Sequence, residues 1–260
     1  MKIKLYQVDA FTSEVFKGNP AAVCPLDEWI SEELMQNIAM ENNLAETAFY
    51  VEKDDIFEIR WFTPKTEIDL AGHPTLATSY VIFNIMKYNK DVINFYSMHS
   101  GDLYVKKQTD MFAMNFPARK PERMKSFDLL EQGLRAKPIE VLKSRDILAV
   151  FNTEKEILSI QPDFSIIAKC NLHGVIVSAI GDNCDFASRF FAPALGINED
   201  PVTGSAHATL IPYWSEKLGK KELHAMQLSE RTGDLFCKDL GKRVEIAGKA
   251  ALFMEGEITI

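Results

Sequence analysis

Glu46 is a carboxylate set in an apolar run, with Leu44 and Ala45 before it and Thr47, Ala48 and Phe49 after it. A carboxylate in such surroundings is costly unless it is exposed, paired or functional. A glutamic acid held in an apolar pocket can take up and return a proton near neutral pH, which is general acid/base work. An exposed glutamate at a strand start is the plain alternative. His73 stands directly before Pro74, and proline suits the first turn of a helix, where its missing N–H costs nothing. A helix start disfavours the imidazolium, so this histidine would be a neutral hydrogen-bond donor. A capping or merely structural histidine is the competing reading. Gly204-Ser205 offers a similar place: glycine lets the backbone approach a ligand, and the serine hydroxyl adds a donor to bare N–H groups. Asp69 and Asp200 precede Gly72 and Gly204. Asp69 reads as a loop cap. Asp200, beside Glu199, reads as serving a site.

These residues fall in two copies of one pattern. Arg60-Trp61-Phe62-Thr63-Pro64 is followed by Asp69 and Gly72-His73-Pro74-Thr75. Arg189-Phe190-Phe191-Ala192-Pro193 is followed by Asp200 and Gly204-Ser205-Ala206-His207, 129 residues later. One supersecondary unit per half is the expectation. Each glycine opens a helix whose unpaired N–H groups and positive dipole end favour an anion. Arg60 and Arg189 hold equivalent places, which suggests a structural pairing with a nearby carboxylate rather than substrate contact.

The elements that must position these groups follow from periodicity and turn chemistry. Residues 3–9 and 21–24 read as strands around a turn-like Lys17-Gly18-Asn19-Pro20. Ser31 reads as the N-cap of a helix with Glu32 and Glu33 in its first turn, stopped by Asn42-Asn43. Strands follow at 47–51 and 56–62, leaving Glu46 just outside the first. A mostly apolar helix from Pro74 to about Met86 should be buried on most sides. Strands at 92–97, 102–107 and 111–116 complete the first half, and the polar link Pro117-Ala118-Arg119-Lys120-Pro121 marks a boundary. The second half reads as a helix at 126–134, strands at 147–152, 174–180 and 187–191, and a second apolar helix at 206–218. Pro212 should kink or restart that helix. Strands at 235–237, 243–246 and 250–260 end the chain. The expected fold is α+β: two pseudo-symmetric halves, 1–117 and 118–260, each a bent β-sheet or barrel around a central apolar helix, with the final strand free to return to the first half. The two helix starts are expected to meet at a cleft between the halves.

At 260 residues, 47% hydrophobic and 25% charged, the chain can bury a core in each half. Its net charge of −8 gives no general attraction to nucleic acid. Cys24, Cys170, Cys184 and Cys237 form no CxxC pair, so reduced thiols are expected rather than a zinc site or a disulfide framework. There is no P-loop, no GxGxxG after a strand, no HExxH and no GxSxG. Neither a metal nor a cofactor is expected. No signal-like apolar region and no stretch long enough to span a bilayer is present, so a cytoplasmic protein is expected, without a membrane partner.

Val8-Asp9-Ala10-Phe11, Gly18-Asn19-Pro20-Ala21-Ala22-Val23, Ala45-Glu46-Thr47-Ala48-Phe49, Arg60–Pro64, Leu70-Ala71-Gly72-His73-Pro74-Thr75 and Glu199-Asp200-Pro201-Val202-Thr203-Gly204-Ser205-Ala206-His207 resemble, in order, the phenazine-biosynthesis PhzF-like family. The resemblance implies the diaminopimelate epimerase-like fold, usually as a homodimer. It also implies a cofactor-independent isomerase in which Glu46 moves a proton on a small carboxylate substrate. His73, Asp200 and Ser205 match the family's supporting residues, and Gly72 and Gly204 would help hold the carboxylate. Related racemases use a cysteine just before each glycine; Ala71 and Thr203 stand there, and neither can be a thiolate base. Residues 227–235 look like PhzF-like relatives of unassigned substrate. A lyase or hydratase using the same proton transfer, and a non-catalytic anion-binding protein, are the alternatives.

Overall fold

The alternating residues after Met1 form strand β1 (Lys2–Ala10). In the computed structural model the chain folds as two units, Met1–Asn115 with Ala247–Ile260, and Phe116–Ile246. Residues 1–170 and 172–260 are described. The last strand pairs with β1, and the second unit ends at Ile246.

In the first unit β1 is followed by β2 (Asn19–Leu26), α1 (Glu32–Asn42), β3 (Glu46–Lys53), β4 (Ile56–Phe62), the short β5 (Glu67–Ile68), α2 (Gly72–Tyr80), β6 (Val92–Ser97), β7 (Gly101–Gln108) and β8 (Met111–Pro117). β1 pairs antiparallel with β2 and, along its other edge, with the chain's last strand, Ala250–Thr259. β2 runs parallel to β3, β3 antiparallel to β4, β4 parallel to β6, and β6 antiparallel to β7. α1 starts as expected, with the Leu34 N–H donating to Ser31 Oγ at 3.2 Å, and stops at Asn43 in the left-handed region at φ 49°. It lays Met35, Ile38 and Ala39 over Ile3, Leu5, Cys24, Phe49 and Phe62. Because side chains alternate along a strand, Phe49 facing α1 turns Glu46, Ala48 and Tyr50 to the opposite face, toward α2.

α2 is buried from His73 to Ser79. Three of its hydroxyls are satisfied by the backbone one turn back: Thr75, Thr78 and Ser79 donate to the carbonyls of Ala71, Pro74 and Thr75 at 2.6–2.8 Å. The α-helix does not run on to Met86. Val81–Ile85 widen into a π-turn closed by the Met86 N–H on Val81 O, five residues back.

The second unit contains β9 (Glu122–Met124), α3 (Asp128–Leu134), β10 (Glu140–Lys143), β11 (Ile147–Val150), α4 (Glu154–Ser159), α5 (Phe164–Lys169), β12 (Val175–Ile180), β13 (Phe186–Phe191), α6 (Gly204–Leu218), β14 (Glu222–Gln227), β15 (Gly233–Asp239) and β16 (Arg243–Gly248). The pairings β10–β11, β11–β12, β12–β13, β13–β14 and β14–β15 are antiparallel, parallel, antiparallel, parallel, antiparallel. This is the same succession as β1–β2–β3–β4–β6–β7, so the repeat read from sequence is a repeat of topology. One sheet face is covered by α3, α4 and α5 through Leu130, Leu134, Ile157 and Ile167, with Ile160 just after α4.

α6 differs from expectation. It begins at Gly204 and continues through Pro212 without a break. Proline at 212 leaves the Ala208 carbonyl without its helical donor. The Arg119 backbone N–H supplies one instead, at 2.8 Å. Among the described residues no helix is long and apolar enough to cross a membrane.

Candidate active site

In the first unit three buried polar side chains meet. Gly18 has φ +64°, and a Cβ there would lie 2.2 Å from the Ala10 carbonyl oxygen, so only glycine fits this turn. It delivers Asn19, fully buried, as the first residue of β2 opposite Ala10. Glu46 is the first residue of β3 rather than the loop residue before it, and is 9% exposed. α2, which packs on β2 and β3, begins at Gly72 and brings in His73, 5% exposed. Asn19 Nδ2 lies 3.2 Å from His73 Nδ1. His73 Nε2 lies 2.9 Å from Glu46 Oε2, a close contact that lacks the alignment of a hydrogen bond. Ala71, the N-cap residue of α2, has no side chain able to accept from the first turn.

In the second unit the matching segment is organised by a residue that sequence reasoning passed over. Gln227 is fully buried at the end of β14. Its Oε1 accepts from the Thr203 N–H at 2.8 Å, and its Nε2 donates to the Asp200 carbonyl at 2.8 Å and to Thr203 Oγ1 at 3.1 Å. Thr203 Oγ1 donates in turn to Asp200 Oδ2 at 2.6 Å. Both the amide orientation and the direction of the relay follow from the backbone groups at its ends. Asp200 is 9% exposed. Gly204 is buried and Ser205 half-buried in the first turn of α6. Thr203 is the N-cap residue but makes no side-chain cap, because its hydroxyl is committed to Asp200.

The structure thus joins Glu46 to His73 within one unit, and Asp200 to Thr203 within the other. Arg60 and Arg189 have the structural task expected of them. Arg60 donates to Glu67 at 2.7 Å and to Glu32 at 2.9 Å. Arg189 grips Glu199 bidentately at 2.8 and 2.9 Å. Each guanidinium also lies over the aromatic ring two residues on, Phe62 and Phe191. Glu199 is therefore Arg189's partner, so the acidic pair splits: only Asp200 faces Thr203. Asp69 is exposed, and its backbone carbonyl accepts from Ser100 Oγ. All four cysteines are free, and burial pushes the Cys24 and Cys184 thiols up, to about 12 and about 11, away from thiolate chemistry. Among the described residues no group of three or more His, Cys, Asp or Glu could hold a metal ion. Asn19 and Gln227 carried no signal of their own in the sequence beyond their motifs. Only pairing register and burial disclose them.

The family model described as phenazine biosynthesis-like protein matches residues 8–256. An uncharacterized isomerase of Pseudomonas aeruginosa is 48% identical over 258 residues, covering 99% of each chain. The crystal structure of a PhzF-family phenazine biosynthesis protein from Enterococcus faecalis is 48% identical, with a TM-score of 0.98 over all of both chains. A predicted epimerase from Pseudomonas aeruginosa, 18% identical over 99% of each chain with a TM-score of 0.73, shares the fold.

Proposed function

Since the chain belongs to the phenazine biosynthesis-like family and is an isomerase of that kind, we propose that it moves a proton between positions of a small carboxylate substrate, without a cofactor, with Glu46 as the general acid/base. The observation that carries this reading is the contact of Glu46 Oε2 with His73 Nε2, at 2.9 Å and without hydrogen-bond alignment. A carboxylate so placed is buried and close to a donor, yet not locked to it. A substrate C–H could become its proton partner, with the histidine polarising the neighbouring group. The uncapped start of α2 supplies N–H groups and a positive dipole end for the substrate carboxylate. By family resemblance Asp200, Gly204 and Ser205 serve the same substrate, their segment being set by Thr203 and Gln227. A homodimer acting in the cytoplasm belongs to the same proposal.

The test works without an identified substrate. The small-carboxylate fraction of a cell extract is incubated with the protein in D₂O, and deuterium incorporation is read by mass spectrometry. Wild type should label at least one compound. Glu46→Gln, nearly isosteric, should fold with an unchanged thermal midpoint and label it roughly a hundredfold more slowly or not at all. Labelling by the Gln variant at the wild-type rate would sink the mechanism.

A further inference from the structure

We infer that Asn19 is a positioning residue that fixes the proton of His73 on Nε2, the nitrogen facing Glu46; this rests on the proton-transfer reading of Glu46. A neutral imidazole has one N–H and one lone pair, and the partner of one nitrogen decides the state of the other. Asn19 places Nδ2, a donor, 3.2 Å from Nδ1. A donor at Nδ1 demands the lone pair there, so the ring's proton sits on Nε2. At Nε2 the neighbour is Glu46 Oε2 at 2.9 Å. The contact is not aligned as a hydrogen bond, but an ionised carboxylate cannot donate, so its closeness disfavours a lone pair at Nε2 and the tautomer is set at Nδ1 by Asn19. In this orientation the amide opposes an imidazolium, which would set N–H against N–H at Nδ1. A charged His73 would form a buried ion pair with Glu46 and hold that carboxylate in its ionised form. A neutral ring forms no such ion pair, which suits the acid/base role proposed for Glu46.

The placement is built into the fold rather than left to a mobile side chain. Asn19 is fully buried. Its backbone is held opposite Ala10 in β2, between Gly18, where a Cβ would lie 2.2 Å from the Ala10 carbonyl oxygen, and Pro20, whose φ is fixed by its ring. β2 then lies parallel to β3 with Ala21 opposite Glu46. The donor for Nδ1 and the carboxylate at Nε2 therefore stand on neighbouring strands, with the ring delivered between them by the first turn of α2.

The experiment reads the ring directly. Two-bond ¹H–¹⁵N spectra separate the Nδ1–H, Nε2–H and doubly protonated forms. With five histidines in the chain, His73 is assigned from a His73→Gln spectrum. Wild type without substrate at neutral pH should show the neutral Nε2–H form. Asn19→Asp puts an acceptor at Nδ1 and should move a proton there, with the D₂O labelling rate at saturating extract falling roughly a hundredfold. Asn19→Ala should give a mixture of tautomers. A wild-type ring protonated on Nδ1, alone or with Nε2, overturns the assignment whatever the variants do. So does an Asn19→Asp ring unchanged from wild type. The spectra do not depend on turnover, so the two readings separate. If Glu46→Gln keeps the labelling rate while the ring behaves as described, the acid/base reading falls and the role of Asn19 in fixing the tautomer stands.

Discussion

Thr203 is by type among the better helix caps, yet at the start of α6 its hydroxyl caps nothing and donates to Asp200 at 2.6 Å. Its N–H is taken by Gln227 at 2.8 Å. The position thus holds a carboxylate in place rather than capping the helix. Thr203→Val, which keeps the shape but removes the O–H, should cost about 2 kcal/mol, the scale of a buried hydrogen bond to a charged group. It should also slow D₂O labelling, while Thr203→Ser stays near wild type in both. Urea midpoints and labelling rates check the pair. Equal stability of the Val and Ser variants would show that the hydroxyl does not hold Asp200. Arg60 and Arg189 make the complementary case: their repetition in the sequence suggested a structural job, and each pairs with a carboxylate, Glu67 and Glu199.

At the scale of elements, the segment read as a turn at 17–20 is half turn and half strand. The φ of +64° at Gly18 ends the loop, and Asn19 and Pro20 already pair with Ala10 and Asp9. Gly18→Ala would force a Cβ to 2.2 Å from a backbone oxygen, so either β1 or β2 must shift. The expected cost is about 2 kcal/mol or more. The displacement should carry Asn19 away from His73, seen as a thermal midpoint lowered together with a changed His73 tautomer. A variant with an unchanged midpoint would show that the turn relaxes freely. Pro212 teaches the opposite lesson. Proline chemistry predicts a broken helix, and the break is averted by one backbone N–H, from Arg119, that no local rule could supply.

At the scale of the whole molecule, acid stability should depend on a histidine outside the Glu46 site. His207 is fully buried in α6 with Nδ1 donating to the Thr203 carbonyl at 2.9 Å. Burial holds its pKa down to about 4, against an ordinary value of 6.5, while the bond to Thr203 pulls weakly the other way. The folded pKa lies below the unfolded one, so between pH 6.5 and 4 the unfolded chain binds a proton that the folded chain refuses. Stability from this group is complete above pH 6.5, falls as pH drops toward 4, and levels off below that. The loss is about 3 kcal/mol in all. Urea midpoints from about pH 7.5 to about pH 4 should show this limb in wild type and a flatter one in His207→Gln, whatever the variant's stability at neutral pH. Parallel slopes would assign the acid limb to other groups.

The repeat and the α+β class were legible in the sequence from local patterns, and the family from the resemblance of its motifs; Glu46, His73 and Asp200 stood out there as candidates, as a charge in an apolar run, a helix start and a carboxylate before one. α1 was legible nearly to the residue, because Ser31 and Asn43 act on their own neighbours. The partners were not legible there and belong to the tertiary structure. That Asn19 meets His73, that Gln227 sets Thr203 and Asp200, that Glu199 belongs to Arg189, and that Arg119 repairs α6 are all facts of strand pairing and packing between segments 10 to 89 residues apart. Residue type tells which groups need a partner. Which group fills that need depends on register across the sheet, and a shift of one residue would turn each strand-borne side chain among them to the other face.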